Sequence, residues 1–279
     1  MDQLTDYSDS RNKGFCIHCG SELRPDESNR DHVPTRGLLN RPYPENLPVV
    51  EVCRLCNSGF SSDEEYLIAF LGSVLSGSTR PDPVKFPVAS GILTHSPRLG
   101  NRIDRCRTVQ GNLWGGVAVL WEPELDRIER IVVKNARGHA HYEIGEPMLE
   151  QPSHVSVCPI EALTARQIEQ FENIPHSTGW PEVGSRMMQR TLIIQSPGDA
   201  HEIHSDGWQD VQDGVYRYAV TQGLGGILVR MILREYLAAE VLWGDPLSHG
   251  DSEVEGLLEA PSSPLHGREV DYRRRGYRG

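Results

Sequence analysis

Two C-x-x-C pairs near the start of this 279-residue chain constrain its fold more than any other feature. The first pair is Cys16 and Cys19, and the second is Cys53 and Cys56. Each pair can present two thiolates to one ion at about 2.3 Å, and together they complete the closed tetrahedron that a structural zinc prefers. Thiolates are soft ligands, which argues against magnesium or calcium at these positions. We therefore predict a structural zinc site that joins two N-terminal segments.

Other uses of the six cysteines fit the pattern less well. The first residues, MDQLTDYSDS, lack the basic and then apolar character of a signal peptide, so we expect a cytoplasmic protein with reduced thiols. One C-x-x-C could be redox-active, particularly beside His18, but two pairs favour zinc. We expect His18 to face solvent, with a minor alternative as a ligand. Cys106 and Cys158 stand alone and are predicted to be small buried hydrophobes.

No apolar run approaches the ~20 residues of a membrane helix, so no membrane partner is expected.

The segment between the two cysteine pairs contains side chains suited to phosphodiester hydrolysis. Asp31 and His32 are adjacent, Asn46 follows, and Asn57 comes directly after the last cysteine of the second pair. An imidazole with a pKa near ~6.5 can take a proton from water at neutral pH. A hard cation such as Mg²⁺ keeps several waters, so one carboxylate and one amide oxygen from the protein are sufficient. Neighbouring strand residues point to opposite faces, so Asp31 and His32 can share a site only at a strand end or a bend.

These residues occur in the strings D-H-V-P, N-L and C-x-x-C-N, in that order. With them, residues from about 15 to 60 resemble the HNH endonuclease family in its zinc-stabilised form, which has four cysteines around a ββα-metal fold. The resemblance implies that His32 is the general base and that Asn46 orients it. It also implies that Asp31 and Asn57 hold a catalytic Mg²⁺ or Mn²⁺, while the structural zinc keeps the hairpin and the helix in register. The expected substrate is DNA, duplex or single-stranded.

Charge restricts where DNA could bind. The net charge of -11 provides no global positive field, so any nucleic-acid contact must be local. Many relatives carry basic residues just after the final asparagine, whereas S-G-F occupies 58–60 here. The nearest candidates for phosphate contacts are Arg36, Arg41 and Arg54, of which Arg36 is favoured. A partner protein that delivers the DNA would also compensate for the acidic charge.

A non-catalytic function remains the alternative. Asn46 could close a turn, and Asn57 could cap a helix. The chain would then be a zinc-ribbon adaptor that binds nucleic acid or protein without cutting. An adaptor has no need for Asp31, His32 and Asn57 together, so their joint presence favours the endonuclease.

The whole chain is predicted to be α+β, in four parts. Residues 1–80 form the zinc-stabilised HNH module, and 81–99, which contain three prolines, form a linker. Residues 100–244 form an α+β domain of unassigned role, and 245–279 form a disordered tail. Within the first part, a helix is expected from about 62 to 76, with Ser62 and Glu65 as a capping box and the charges at 63–65 in its first turn.

In the third part, GNLWGGVAVLWEP is predicted to contain a strand, because Val117, Val119 and Trp121 alternate, and the next segment is predicted to be a helix that ends near Gly138. A second helix is predicted in PIEALTARQIEQFEN, a short strand in TLIIQ, and a hairpin around residues 223–226 whose following segment is ambiguous between strand and helix. His139, His141 and His154, with Glu143 nearby, match no metal motif and are expected to be solvated or core residues.

The tail contains the densest positive charge of the chain. Its arginines are interleaved with Tyr272 and Tyr277, which could stack on bases while the arginines bind phosphate. A tail that only increases solubility is the alternative. The arginines are Arg268, Arg273, Arg274, Arg275 and Arg278.

Overall fold

The computed structural model of the protein describes residues 4–24, 26–111, 117–175, 177, 179–194, 207–223, 225–244 and 265–266. These residues form a mixed α+β fold with six α-helices and three antiparallel sheets, which confirms the predicted fold class at this level. None of the described helices is long and apolar enough to cross a membrane. The predictions for the tail lie outside the described residues, apart from residues 265–266.

The N-terminal part is a β-hairpin that leads directly into a long helix. Strand β1 (Ser28–His32) pairs with β2 (Val49–Cys53), and helix α1 (Arg54–Ser76) follows without a loop. Cys53 caps the helix, because its Sγ accepts a hydrogen bond from the backbone N–H of Cys56 at 3.4 Å. The helix ends at Gly77, whose positive φ of 66° glycine adopts readily.

Helix α1 therefore begins eight residues before the predicted start near 62, and the predicted capping box is wrong. Ser62 and Glu65 lie in the interior of the helix, as do the three acidic residues at 63–65. The polar segment N-S-G at 57–59 hides the helical periodicity of the first turns. The cap that Cys53 provides is a side-chain contact, which the pattern of apolar residues does not predict.

The segment 81–99, interpreted from its prolines as a linker, instead contributes to the packed core. Helix α2 (Pro87–His95) and helix α3 (Pro97–Asp104) each begin at a proline, a residue that is favoured in the first helical turn. Val84, Ala89 and other apolar residues of this segment are buried. Helix α2 packs closely on α1, since a Cβ added to Gly72 would lie 2.4 Å from that of Ala89.

The largest sheet has five antiparallel strands in the order β5-β9-β8-β7-β6. Helix α4 (Leu125–Ile144) contacts four of these strands and continues past the predicted end at Gly138 to Gly145, whose φ is 88°. The strands are β5 (His154–Pro159), β6 (Gln209–Gln212), β7 (Tyr216–Gln222), β8 (Gly226–Leu233) and β9 (Leu237–Gly244).

The hairpin and helices predicted for this region are confirmed in part. The hairpin around 223–226 is confirmed between β7 and β8, and the ambiguous segment after it is strand β9. The predicted second helix is a short 3-10 turn followed by α5 (Ala165–Glu172), which Thr164 and Gln167 cap reciprocally. The predicted strand TLIIQ is wrong, because its first four residues end helix α6 (Arg186–Ile194). Such a short apolar run is compatible with the periodicity of a helix and with that of a strand.

A smaller sheet flanks this body. It has the strand order β10-β4-β3, and β4 (Val117–Trp121) confirms the strand predicted at 117–121. Its neighbours are β3 (Arg107–Gly111) and β10 (Leu265–His266).

The main hydrophobic core crosses the predicted boundary at residue 80. Phe70 of α1 contacts the ring of Trp121 edge-on, with the ring centroids 6.1 Å apart, and both side chains are fully buried. Ile131 of α4 and Val229 of β8 belong to the same cluster. The long helix of the N-terminal part thus shares its core with the body.

Candidate metal centre and its surroundings

The four predicted zinc ligands lie together. Their Sγ atoms are all within 4.8 Å of one another, and those of Cys19 and Cys53 are 3.8 Å apart. The first pair is held in a tight turn, in which the N–H of Gly20 donates to the carbonyl of Cys16 at 2.8 Å. The second pair is held by the end of β2 and the first turn of α1. The arrangement could hold a structural metal such as zinc, and the prediction is confirmed to that extent.

The thiols of this cluster differ in their environment. Burial raises the pKa of Cys19, but hydrogen bonds with Ser21, Cys16 and Cys56 together outweigh this effect and bring the pKa to about 6. Burial raises the pKa of Cys16 and, with the neighbouring thiols, that of Cys56. A coordinating metal deprotonates such thiols, so zinc binding at this cluster would release protons and would tighten as the pH rises.

A buried arginine lies beside the cluster. Arg137 of α4 donates through Nη1 to the carbonyl of His18 at 3.3 Å and through Nη2 to the carbonyl of Glu150 at 2.9 Å. Burial lowers the pKa of this guanidinium, while the charges of Cys56 and Cys16 oppose the shift. Arg137 therefore places positive charge near Cys16 and Cys56 and ties the first cysteine turn to α4.

His18 does not face solvent, so that expectation is wrong. Its ring is 9% exposed and packs edge-on against Phe60, with the ring centroids 4.9 Å apart. Burial, reinforced by the charges of Lys134 and Arg137, lowers the pKa of His18 to about 3. Among the described residues, the cluster of potential metal ligands contains the four cysteines without a histidine.

Asp31 forms an ion pair that the sequence did not reveal. Its Oδ2 lies 2.8 Å from Nζ of Lys134 on α4. The Lys134 ammonium also donates to Oε1 of Glu64 at 2.6 Å and to Oγ1 of Thr35 at 3.0 Å. Thr35 is tied to α4 as well, because its N–H donates to Oδ1 of Asn135 at 2.8 Å. The carboxylate predicted as a metal ligand is thus bound by a protein cation.

His32 ends strand β1, as required if it is to share a site with Asp31. Burial lowers the pKa of His32, and the positive charge of Arg36 lowers it further. Asp31 opposes this shift, whereas Arg30 and Lys134 add to it. The imidazole therefore lies in locally positive surroundings although the chain as a whole is acidic.

The two predicted asparagines are not joined to this pair by hydrogen bonds in the part of the chain that the structure describes. Asn46 is exposed in the loop before β2, the loop through which it was predicted to orient His32. Asn57 is half-buried in the first turns of α1.

The predicted phosphate-binding arginines are exposed. Arg36 stacks on the ring of Tyr43 with 4.5 Å between the guanidinium carbon and the ring centroid, and Arg41 approaches the same ring at 5.6 Å. Arg54 is exposed at the first position of α1. Arg273, Arg274 and Arg275 lie outside the described residues.

Three functional candidates, Glu64, Lys134 and Arg137, were not predicted from the sequence. The sequence gives one indication of the two basic residues: the polar string K-N-A-R at 134–137 lies between apolar residues of a predicted helix, where charged side chains are uncommon. Asp63, next to Glu64, has a structural role, because its carboxylate accepts from Arg127 and Arg130 at 2.6 Å each.

The histidines expected to be solvated or in the core do not share one environment. His139 is fully buried, hydrogen-bonds Tyr216 at 3.0 Å and stacks on Tyr218. His141 has a buried Nδ1, whereas His154 lies half-buried on the edge strand β5.

Comparison of the chain with protein-family models, with curated proteins and with solved structures found no match. What this site does must therefore be argued from its own geometry and charge.

Proposed function

We propose that this protein is an HNH-type endonuclease that hydrolyses DNA phosphodiester bonds with His32 as the general base. One observation carries the proposal: hairpin β1-β2 leads directly into α1, and the cysteine cluster joins the preceding cysteine turn to the end of β2 and the first turn of α1. This is the ββα order that the resemblance to HNH endonucleases implies. Within it, Asp31 and His32 end β1 and Asn57 lies near the start of α1.

The charge around His32 supports the proposal. A lowered pKa keeps the imidazole neutral at neutral pH, the form that can accept a proton from water. Arg36 and Arg30 place positive charge near the ring, which favours an approaching phosphate. In the proposed complex, the phosphate contacts come from Arg36, Arg41 and Arg54, and the net charge of -11 confines DNA to this surface.

The two metals implied by the resemblance differ in how well the residues fit them. Four clustered thiols suit a zinc ion that holds the hairpin to α1. The donor set for a catalytic Mg²⁺ or Mn²⁺ does not fit in this arrangement, because Oδ2 of Asp31 is bound by the Lys134 ammonium. We derive no chemical step through that ion.

Cleavage of supercoiled plasmid tests the proposal. Full-length, zinc-loaded protein should nick the plasmid, and His32→Ala should lose about 10²- to 10⁴-fold in rate because proton transfer to the base is lost. His95→Ala removes an exposed imidazole on α2 and should cleave like the wild type. Each protein is assayed with Mg²⁺, with Mn²⁺ and with EDTA, and zinc content is measured to verify folding. Equal rates for His32→Ala and wild type would reject His32 as the base.

The Asp31–Lys134 ion pair and the exposed position of Asn46 favour a second candidate, a zinc-bound adaptor that binds nucleic acid or protein without cutting. The same plasmid separates the two functions. Binding of DNA without nicking under all three metal conditions would support the adaptor, whereas nicking that depends on His32 would support the nuclease.

A further inference from the structure

Three side-chain oxygens surround the Lys134 ammonium. Its Nζ donates to Oε1 of Glu64 at 2.6 Å and to Oγ1 of Thr35 at 3.0 Å, and Oδ2 of Asp31 lies 2.8 Å away as an ion-pair partner. Its side chain is 2% exposed. A buried charge is tolerated when it is paired and hydrogen-bonded, and Lys134 meets both conditions.

The contacts on either side of Lys134 hold this part of α4 against the hairpin. One residue further on, Oδ1 of Asn135 accepts from the N–H of Thr35 at 2.8 Å. One turn further on, Gly138 approaches Val33 so closely that an added Cβ would lie 2.6 Å from Cγ2 of that valine. The ammonium is therefore delivered to Asp31 by a packed helix and not by a mobile surface side chain.

The charges in this cluster also oppose a second cation. Two carboxylates share one ammonium, and a divalent ion on Asp31 would have to lie next to that ammonium in a partly buried site. Repulsion between unit charges at such a distance is strong wherever the effective dielectric constant is below that of water.

We propose that the Lys134 ammonium is the cation that neutralises Asp31 in the working protein, in the place where the resemblance to HNH endonucleases puts a divalent ion. Lys134 is then a positioning residue, which holds the Asp31 carboxylate beside His32 and links the hairpin to α4. The inference rests on the proposed function only for naming Asp31 as a site residue.

Binding of Mn²⁺, followed by the loss of its free-ion electron paramagnetic resonance signal, tests this without any cleavage assay. Mn²⁺ accepts carboxylate ligands and does not compete for a thiolate zinc site. The zinc-loaded full chain and Asp31→Asn should give coincident titrations. Lys134→Met should bind Mn²⁺ at least about tenfold more tightly than the wild type, because a neighbouring positive charge is removed. The double variant Asp31→Asn, Lys134→Met should lose this gain.

A matched control is Lys85→Met, which removes an exposed lysine before α2 and should titrate like the wild type. A Mn²⁺ site in the wild type that is lost in Asp31→Asn would overturn the proposal. It would also be overturned if Lys134→Met retained one zinc per chain and gained no Mn²⁺ affinity. If Lys134→Met loses its zinc and fails to fold, the titrations of wild type and Asp31→Asn still test the proposal. Coincident titrations support it, and a wild-type Mn²⁺ site that is lost in Asp31→Asn overturns it.

Failure here and failure of the proposed function can be told apart. A protein that does not nick plasmid would remove the nuclease proposal and leave the Mn²⁺ titrations unaffected. If the chain is a nuclease, the cleavage rate of Lys134→Met should increase with added Mn²⁺. Substitution of a purely structural lysine would not produce this dependence on the metal.

Discussion

The hairpin β1-β2, which lies beside the cysteine cluster, and the five-stranded sheet have hydrophobic cores of very different size. The hairpin has a small core of Cys16, Ile17, Val33, Val50 and Val52, next to the four clustered thiols. In strands β8 and β9, by contrast, nearly every residue is buried, because apolar side chains cover both faces of the sheet. A core as small as that of the hairpin does not support folding without a staple, and a metal can supply one. The hairpin therefore lies beside a site that could hold a metal staple, whereas the sheet is stabilised by apolar burial.

The largest expected effect is the loss of hairpin stability when a predicted zinc ligand is removed. We expect Cys53→Ser to lose zinc and to unfold the hairpin, because structural zinc typically contributes about 10–16 kcal/mol of apparent binding free energy. Hydrogen exchange should then show loss of protection in β1, β2 and the first turn of α1. Strands β7 to β9 should keep their protection, since their core contains none of the ligands.

The control for this experiment is Cys106→Ser, which changes a partly buried cysteine outside the cluster. It should retain one zinc per chain and the wild-type exchange pattern in the hairpin. Uniform loss of protection across hairpin and sheet in Cys53→Ser would show that the two regions unfold as one unit.

A smaller change should weaken the junction between the two regions. Gly138 of α4 packs on Val33 beside β1, and a new Cβ would lie 2.6 Å from Cγ2 of that residue. Gly138→Ala should therefore lower the free energy of unfolding by about 1–3 kcal/mol, the usual cost of overpacking. Urea denaturation measures this cost, and adding Val33→Ala should recover part of it because the clash is relieved.

Gly91→Ala is the matched control in α2, where an added Cβ meets nothing within 4 Å. There the helix preference of alanine should stabilise the protein by about 0.5–1 kcal/mol. A loss of similar size in both variants would mean that close packing at the junction does not explain the effect of Gly138→Ala.

Between pH 7 and pH 5, acid should also weaken the sheet through a buried histidine. Burial lowers the pKa of His139 to about 3, whereas an unfolded imidazole titrates near ~6.5. The unfolded chain therefore binds more protons between these two values. This contribution to stability is fully present above pH ~6.5 and is lost progressively as the pH falls toward 3, by at most about 1.4 kcal/mol per pH unit.

Urea denaturation of zinc-loaded protein between pH 7 and pH 5 measures this slope. His139→Gln should depend less steeply on pH than the wild type, and His95→Gln, which changes an exposed side chain, should keep the wild-type slope. Identical slopes for all three proteins would show that His139 is not the group through which acid destabilises the sheet.

Local patterns in the sequence were sufficient for several features. The two C-x-x-C spacings predicted the cysteine cluster, because each spacing allows both thiols of a pair to turn toward one point. Alternating apolar residues predicted the strand at 117–121 and the hairpin at 223–226, since a strand repeats every two residues. For the same reason, Asp31 and His32 were expected to share a site only at a strand end or a bend, and His32 is the last residue of β1.

Only the tertiary structure decided what surrounds these features. Asp31 and Lys134 lie far apart in sequence, and nothing local to either residue predicts that an ammonium on α4 would bind the carboxylate. The same holds for the segment 81–99, whose prolines begin packed helices, and for the apolar end of α6, which fits a helix or a strand equally well until its neighbours are known. The physical reason is that periodicity and ligand spacing act within a few residues, whereas charge pairing and core packing depend on which distant segments meet.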